Sequence, residues 1–167
     1  MTAAWRALAP GDLAAVARIA AQVHPNYPER PEIFAERLAL FPAGCFLLVD
    51  AQGQACGYAL SHPGTLGAPP PLDSLLGALP AAADCLYLHD IALLPAARGA
   101  GAPAALLTLL RPLARSLALP RLALVAVNGS ADYWRGHGFA EVDAGVGSYG
   151  EGCVYLVAVT LEPVPSP

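Results

Sequence analysis

At 167 residues the chain has the length of a single domain with one core, and residues 1–167 are read as one unit. Its hydrophobic fraction of 56% is high for a globular chain, yet no apolar run reaches the roughly 20 residues of a spanning helix, and Met1-Thr-Ala-Ala-Trp-Arg lacks the charged-then-apolar pattern of a signal segment. A net charge of −4 argues against nucleic acid as the main partner, so a soluble cytoplasmic protein with no membrane or nucleic-acid partner is expected.

Ala4–Leu8 reads as a short strand stopped at Pro10-Gly11-Asp12, with Asp12 placed to cap the following helix. That helix carries Leu13, Val16, Ile19 and Val23 on one face. His24-Pro-Asn-Tyr-Pro-Glu-Arg-Pro is a breaker-rich loop, and Glu32–Leu40 a second short helix. Cys45–Val49 and Gln54–Ser61 read as strands joined by the hairpin turn Asp50-Ala-Gln-Gly53. His62–Ala83 is rich in Pro and Gly, with one helical turn around Leu75.

Cys85–Leu94 is a long apolar strand. Ala102–Leu117 reads as a helix with the stripe Leu106, Leu109, Leu110, Leu113 and Leu117, kinked or ended early by Pro112. Arg121–Val127 is a further apolar strand, parallel to Cys85–Leu94 because a helix connects them. Ala131–Gly136 is a short helix, and Phe139–Val142 and Cys153–Leu161 finish the sheet. This order predicts an α/β fold, a central mixed sheet flanked by helices.

All nine basic residues are arginine, which with the abundant Ala, Gly and Pro suggests a GC-rich bacterial genome. Cys45, Cys56, Cys85 and Cys153 stand far apart with no metal-ligand spacing. They are read as small buried apolar residues, and no metal is expected.

The most informative stretch runs from Leu86 to Leu107: an apolar strand, the loop Arg98-Gly-Ala-Gly-Ala-Pro103, then a helix start. That order leaves backbone N–H groups unpaired and converging, which suits a phosphate. A P-loop requires Gly-Lys-Ser/Thr, and the chain has no lysine. A dinucleotide fingerprint is disfavoured because too little chain follows the strand for a nucleotide-binding sheet. A plain turn into a helix, with Gly at positive φ, is the competing reading.

Leu-Ala-x-x-Pro-x-x-Arg-Gly-x-Gly, then Asn128, then Trp134-x-x-x-Gly138-Phe139, resembles the GNAT superfamily of N-acetyltransferases over roughly Leu86 to Phe139. The resemblance implies a GNAT-type acyl-CoA N-acyltransferase fold and acetyl-CoA as donor. It implies that Arg98, Gly99, Ala100, Gly101, Ala102, Pro103 and Ala104 hold the pyrophosphate. Ile91, Ala92 and Leu93 would hold the pantetheine arm between two splayed strands, with Asn128 touching it. Dimers are common in the family. Two departures stand out: Pro103 supplies no N–H, and Trp134 occupies the place of the usual catalytic tyrosine. Tyr133 is one position away, about 100° around a helix.

Acetylation of an amine by direct attack in a ternary complex needs a base, an oxyanion donor and a leaving thiolate. If no bulge intervenes, Tyr87, His89, Ile91 and Leu93 share one side of the strand and Asp90 lies on the other as a structural residue. Tyr87 and His89 match the His-x-His proton relay of serotonin N-acetyltransferases, so His89 is the preferred base with Tyr87 beside it; the alternative is a core hydrogen bond. Tyr133 serves as acid if its helix is rotated. Tyr27 and Glu29, with His24, fall in the loop that overhangs the acceptor site in the family; they either bind an amine, with Glu29 acting through water, or belong to a solvated loop. The expected acceptor is a primary amine of a small molecule. The rivals are a non-catalytic acyl-CoA-binding sensor or scaffold, supported by Pro103 and Trp134, and acetylation of a protein N-terminus or side chain.

Overall fold

The computed structural model describes residues 3–160. Its strands are β1 (Ala4–Ala7), β2 (Cys45–Val49), β3 (Ala55–Gly64), β4 (Cys85–Leu93), β5 (Arg121–Ala126), β6 (Ala140–Glu141) and β7 (Val154–Val159). Its helices are α1 (Leu13–Val23), α2 (Pro31–Leu40), α3 (Ala102–Ser116) and α4 (Ala131–Arg135). The strands form one sheet in the order β1-β2-β3-β4-β5-β7-β6. Only β4 and β5 run parallel, as the intervening helix required. The mixed α/β architecture is the one expected; Leu161, placed in the last strand, lies outside the described residues.

Helices cover both faces. Val16 and Ile19 of α1 and Phe34 and Leu38 of α2 pack on Leu47, Tyr58, Leu60 and Ala92. On the opposite face Leu106 and Leu110 of α3 and Trp134 of α4 pack on Leu86, Leu88, Leu124 and Leu156. Among the described residues no helix is long and apolar enough to cross a membrane. All four cysteines are free and buried, and burial pushes the Cys45 and Cys85 thiols up to about 11 and about 12.

Several local expectations are corrected. The Asp12 carboxylate does not cap α1; it accepts from Ala9 N–H and from Arg6. No helical turn forms at Leu75. Helix α3 continues past Pro112, whose ring is exposed, as is Thr108 one turn earlier, so water can reach the carbonyl that Pro112 leaves unpaired. The buried stripe of α3 is Leu106, Leu107, Leu110, Arg111 and Ala114, with Leu109 and Leu117 exposed. Strand β3 continues through Pro63 to Gly64, where β2 no longer flanks it. Pro63 thus sits at an edge, where a missing N–H breaks no ladder.

Two irregularities in β4 position the site. Pairing between β4 and β5 stops at Leu88↔Leu124, although both strands run on. At the same level the β3–β4 register jumps from Ser61↔Leu88 to Leu60↔Asp90, making His89 the extra residue of a β-bulge. The bulge resets the alternation. His89 and Asp90 both look toward α1 and α2, where they meet Glu29 and His24. Ile91 packs on the α3 side, and Ala92 is buried on the α1/α2 side. The expectation that Tyr87, His89, Ile91 and Leu93 share one side therefore fails, as does the placement of Asp90 opposite His89.

Candidate active site

The parting of β4 and β5 opens a cleft of about 680 Å³. It runs from the loop before α3, past the ends of β4 and β5, to the segment joining α1 and α2.

At one end, Gly99 (φ +81°) and Gly101 (φ +77°) adopt the left-handed conformation that lets the loop turn into α3. Gly101 is the helix N-cap and Pro103 the second helical residue. The Arg98 N–H is used within the chain, on the Pro95 carbonyl. Gly99, Ala100, Gly101 and Ala102 follow at the cleft end, and their N–H groups make no backbone bond within the described chain. Trp5 donates its indole N–H to the Ala102 carbonyl at 2.8 Å and holds the turn in place. Arg98 is exposed and donates Nε to the Leu93 carbonyl at 3.2 Å. Bare amides, a helix N-terminus and one guanidinium at one end of a cleft fit a diphosphate.

Along the open edge of β4, His24 Nε2 lies 3.2 Å from the Ile91 carbonyl. The Ile91 and Leu93 carbonyls thus both turn toward the gap, whereas Leu94 N–H bonds to Cys56 on β3. Strand alternation sends the Ile91 and Leu93 N–H groups to the same open side. Ala92 points its backbone the other way. An extended chain laid in the gap could pair with Ile91 and Leu93, which suits a pantetheine arm. Asn128 (φ +56°) ends β5 on the far side, its amide 3.2 Å from His24 Nδ1. His24 and Asn128 therefore bridge the gap.

The other end carries acid–base groups. His89 Nε2 and Glu29 Oε1 are 2.8 Å apart, with side chains 1% and 5% exposed. His24 Nε2 lies 2.9 Å from Asp90 Oδ1, and the other Asp90 oxygen takes a short hydrogen bond from Tyr58. Burial opposes the charged form of His24, but the hydrogen bond and charge of Asp90 prevail and raise its pKa. Burial likewise opposes ionisation of Asp90, and His24 more than offsets it, so the carboxyl sits below its ordinary range. The solvated-loop reading of His24 and Glu29 is thereby overturned. Tyr27 is half-buried on the cleft wall, its hydroxyl 3.6 Å from Cys153 Sγ.

The remaining catalytic candidates lie elsewhere. Tyr87 is buried outside the cleft lining, and its hydroxyl is 3.4 Å from that of Tyr149. Burial holds its pKa well above the ordinary value, which removes it as a base. Tyr133 is exposed, stacks on His137 and turns its oxygen toward the Ala104 N–H at the start of α3, away from the acid–base groups. Trp134 is buried edge-on against Phe139 and offers no hydroxyl, while still lining the cleft. Tyr149, which no sequence signal marked, lines the cleft near Glu29.

A sequence model of the acetyltransferase (GNAT) family matches residues 13–139. A search of curated proteins finds no match. Among solved structures, the chain resembles a phosphinothricin acetyltransferase from Sinorhizobium meliloti in complex with acetyl-CoA (20% identity, 99% of this chain and 95% of that one, TM-score 0.69). It also resembles the ribosomal-protein-S18-alanine N-acetyltransferase from Escherichia coli (19%, 99% of both chains, TM-score 0.67). A third likeness is to Ard1 from Thermoplasma volcanium (15%, 97% and 100%, TM-score 0.72). At these identities the structures speak for the fold alone; the family match, over most of the chain, settles membership. The chain belongs to the GNAT family of acetyltransferases.

Proposed function

We propose that the protein moves an acetyl group from acetyl-CoA to a primary amine of a small molecule, by direct attack in a ternary complex. The observation that carries this is the Glu29–His89 pair, a buried acid–base couple at the end of the cleft opposite the bare amides of the α3 loop. The amides of Gly99–Ala102, with Arg98, hold the diphosphate, and Ile91 and Leu93 hold the arm. When bound, acetyl-CoA supplies an acyl thioester, whose thiol has a pKa of about 8.5 if it behaves like cysteine and so leaves tolerably near neutrality. Glu29 takes the proton released by the attacking amine, and His89 steadies its carboxylate. The N–H groups of β4 beyond the bulge supply the donor for negative charge on the carbonyl oxygen. No hydroxyl acid is required, which accommodates Trp134.

A small acceptor is favoured over a protein segment by the loop between β3 and β4. Leu72 lines the cleft and its N–H bonds Ser148 Oγ; Asp73 N–H bonds Glu29 Oε2; the Tyr149 hydroxyl bonds the Pro70 carbonyl. These ties join the α1–α2 segment to the turn before β7 and close what would otherwise be an open groove.

The test is release of free thiol from acetyl-CoA by the purified protein with a panel of primary amines and of peptides with free N-termini. Saturable release with small amines is expected. Release with peptides alone moves the acceptor to proteins. A rise in melting temperature with acetyl-CoA but no thiol release from any amine means a binder.

A further inference from the structure

Three buried nitrogens near the Glu29–His89 pair have no hydrogen-bond partner: Arg37 Nε, His62 Nε2 and His89 Nδ1. They come from α2, β3 and β4, and all three residues are buried, at 0%, 1% and 8% exposure. The His62 and His89 rings are 6.4 Å apart, and the Arg37 charge reaches His62. Leaving three such atoms unpaired in one region is costly.

Their neighbours fix what each atom can do. His62 Nδ1 lies 2.8 Å from the Pro63 carbonyl, which only accepts, so Nδ1 carries the proton and Nε2 is left an acceptor. His89 Nε2 lies 2.8 Å from the Glu29 carboxylate, so Nε2 carries the proton and Nδ1 is left an acceptor. Arg37 donates one terminal nitrogen to Glu36 Oε1 and the other to the Ser74 carbonyl, and its Nε–H remains a donor. One donor and two acceptors are what a single water satisfies, accepting once and donating twice.

We infer that one enclosed water bridges Arg37 Nε, His62 Nε2 and His89 Nδ1 and holds the His89 ring so that its Nε2–H stays aimed at Glu29. Its consequence for the reaction rests on the function proposed above; its presence does not. With Nδ1 engaged by the water, His89 directs its only N–H at Glu29. Glu29 then stays the proton-accepting oxygen at the acceptor end. His89 is a donor to the base and not the base itself. Arg37 and His62 are positioning residues that act through the water. His62 also lines a second cavity of about 310 Å³ beside Tyr87 and Ser74, which gives water a way in.

The test combines a high-resolution crystal structure with nitrogen NMR of the histidine rings. A water within about 3.2 Å of all three nitrogens, and a His89 ring protonated at Nε2 alone, are expected. His62→Phe removes the acceptor and expels the water, so the His89 Nδ1 resonance loses its hydrogen-bond shift and the ring is aimed less firmly at Glu29. Its kcat falls about tenfold with the KM for acetyl-CoA unchanged, and His62→Gln, which restores an acceptor oxygen, recovers most of the loss. Direct contact among the three nitrogens with no intervening density overturns the inference. So does a His89 Nδ1 resonance indifferent to His62→Phe. Should water and tautomer behave as stated while no amine is acetylated, the acetyl-transfer reading fails and the water site stands.

Discussion

Glu29 Oε1 and His89 Nε2 sit 2.8 Å apart although 60 residues separate them in the chain. Glu29 comes from the Pro-rich segment between α1 and α2, and His89 is the extra residue of the β4 bulge. Without the bulge, alternation would still send His89 to this face but would turn Asp90 away from His24. One inserted residue thus builds two carboxylate–imidazole pairs side by side, Glu29–His89 and Asp90–His24.

Glu29→Gln keeps the size of the side chain and an oxygen for His89 but removes the proton acceptor. The kcat falls by roughly 10²–10³, and the KM for acetyl-CoA stays within about twofold. The deficit shrinks as pH rises, because more of the amine then arrives already deprotonated. Steady-state kinetics from pH 6 to 9.5 check this; a variant with the wild-type rate and profile removes Glu29 from the mechanism.

Pro103 occupies the first turn of α3, where a backbone N–H would be free to reach an anion. Pro103→Ala adds that donor. One further hydrogen bond to a phosphate oxygen is worth about 1 kcal/mol, so the Kd for coenzyme A drops about fivefold. Calorimetry with coenzyme A measures it directly. An unaltered Kd would mean that the phosphates do not lie over this turn.

The fold was legible because its signals are local. The apolar faces of α1 and α3, the Asp50–Gly53 hairpin turn and the strand–glycine loop–helix order each rest on a few adjacent residues. The glycine-loop end of the cleft shares that property. The acid–base end does not. Glu29 and His24 lie among prolines and read as solvated, and nothing adjacent says that they turn inward. A bulge leaves no mark in Leu88-His89-Asp90-Ile91, because it depends on how β3 is paired. His62 was hidden by Pro63, which breaks a central strand but is harmless once β2 has ended.

The His24–Asp90 pair stabilises the fold within a bounded pH range. The His24 contribution is complete below its ordinary value of 6.5 and is lost as pH rises through its raised pKa. The Asp90 contribution is complete above its ordinary value of 3.8 and is lost as pH falls through its lowered pKa. His24→Gln therefore costs most near pH 5–6, on the order of 2 kcal/mol, and progressively less at alkaline pH. Chemical denaturation across pH 4.5–9 reads the difference, and a penalty independent of pH would show that His24 is neutral in the folded protein.

His62 has the opposite sign. Burial is the chief cause that lowers its pKa from 6.5 to about 4; the hydrogen bond to the Pro63 carbonyl opposes it, while the nearby Arg37 charge acts in the same direction. A base whose folded pKa is depressed gives stability that is complete above its unfolded value and drains away as pH falls toward the folded one. The wild type should thus lose up to about 3 kcal/mol between pH 6.5 and pH 4 through this residue alone. His62→Gln cannot take up a proton and flattens that limb while leaving stability at pH 8 within about 1 kcal/mol. Urea midpoints of both proteins at pH 4.5 and pH 8 suffice. Parallel acid limbs in the two would place the titrating group elsewhere and leave His62 solvated in the folded state.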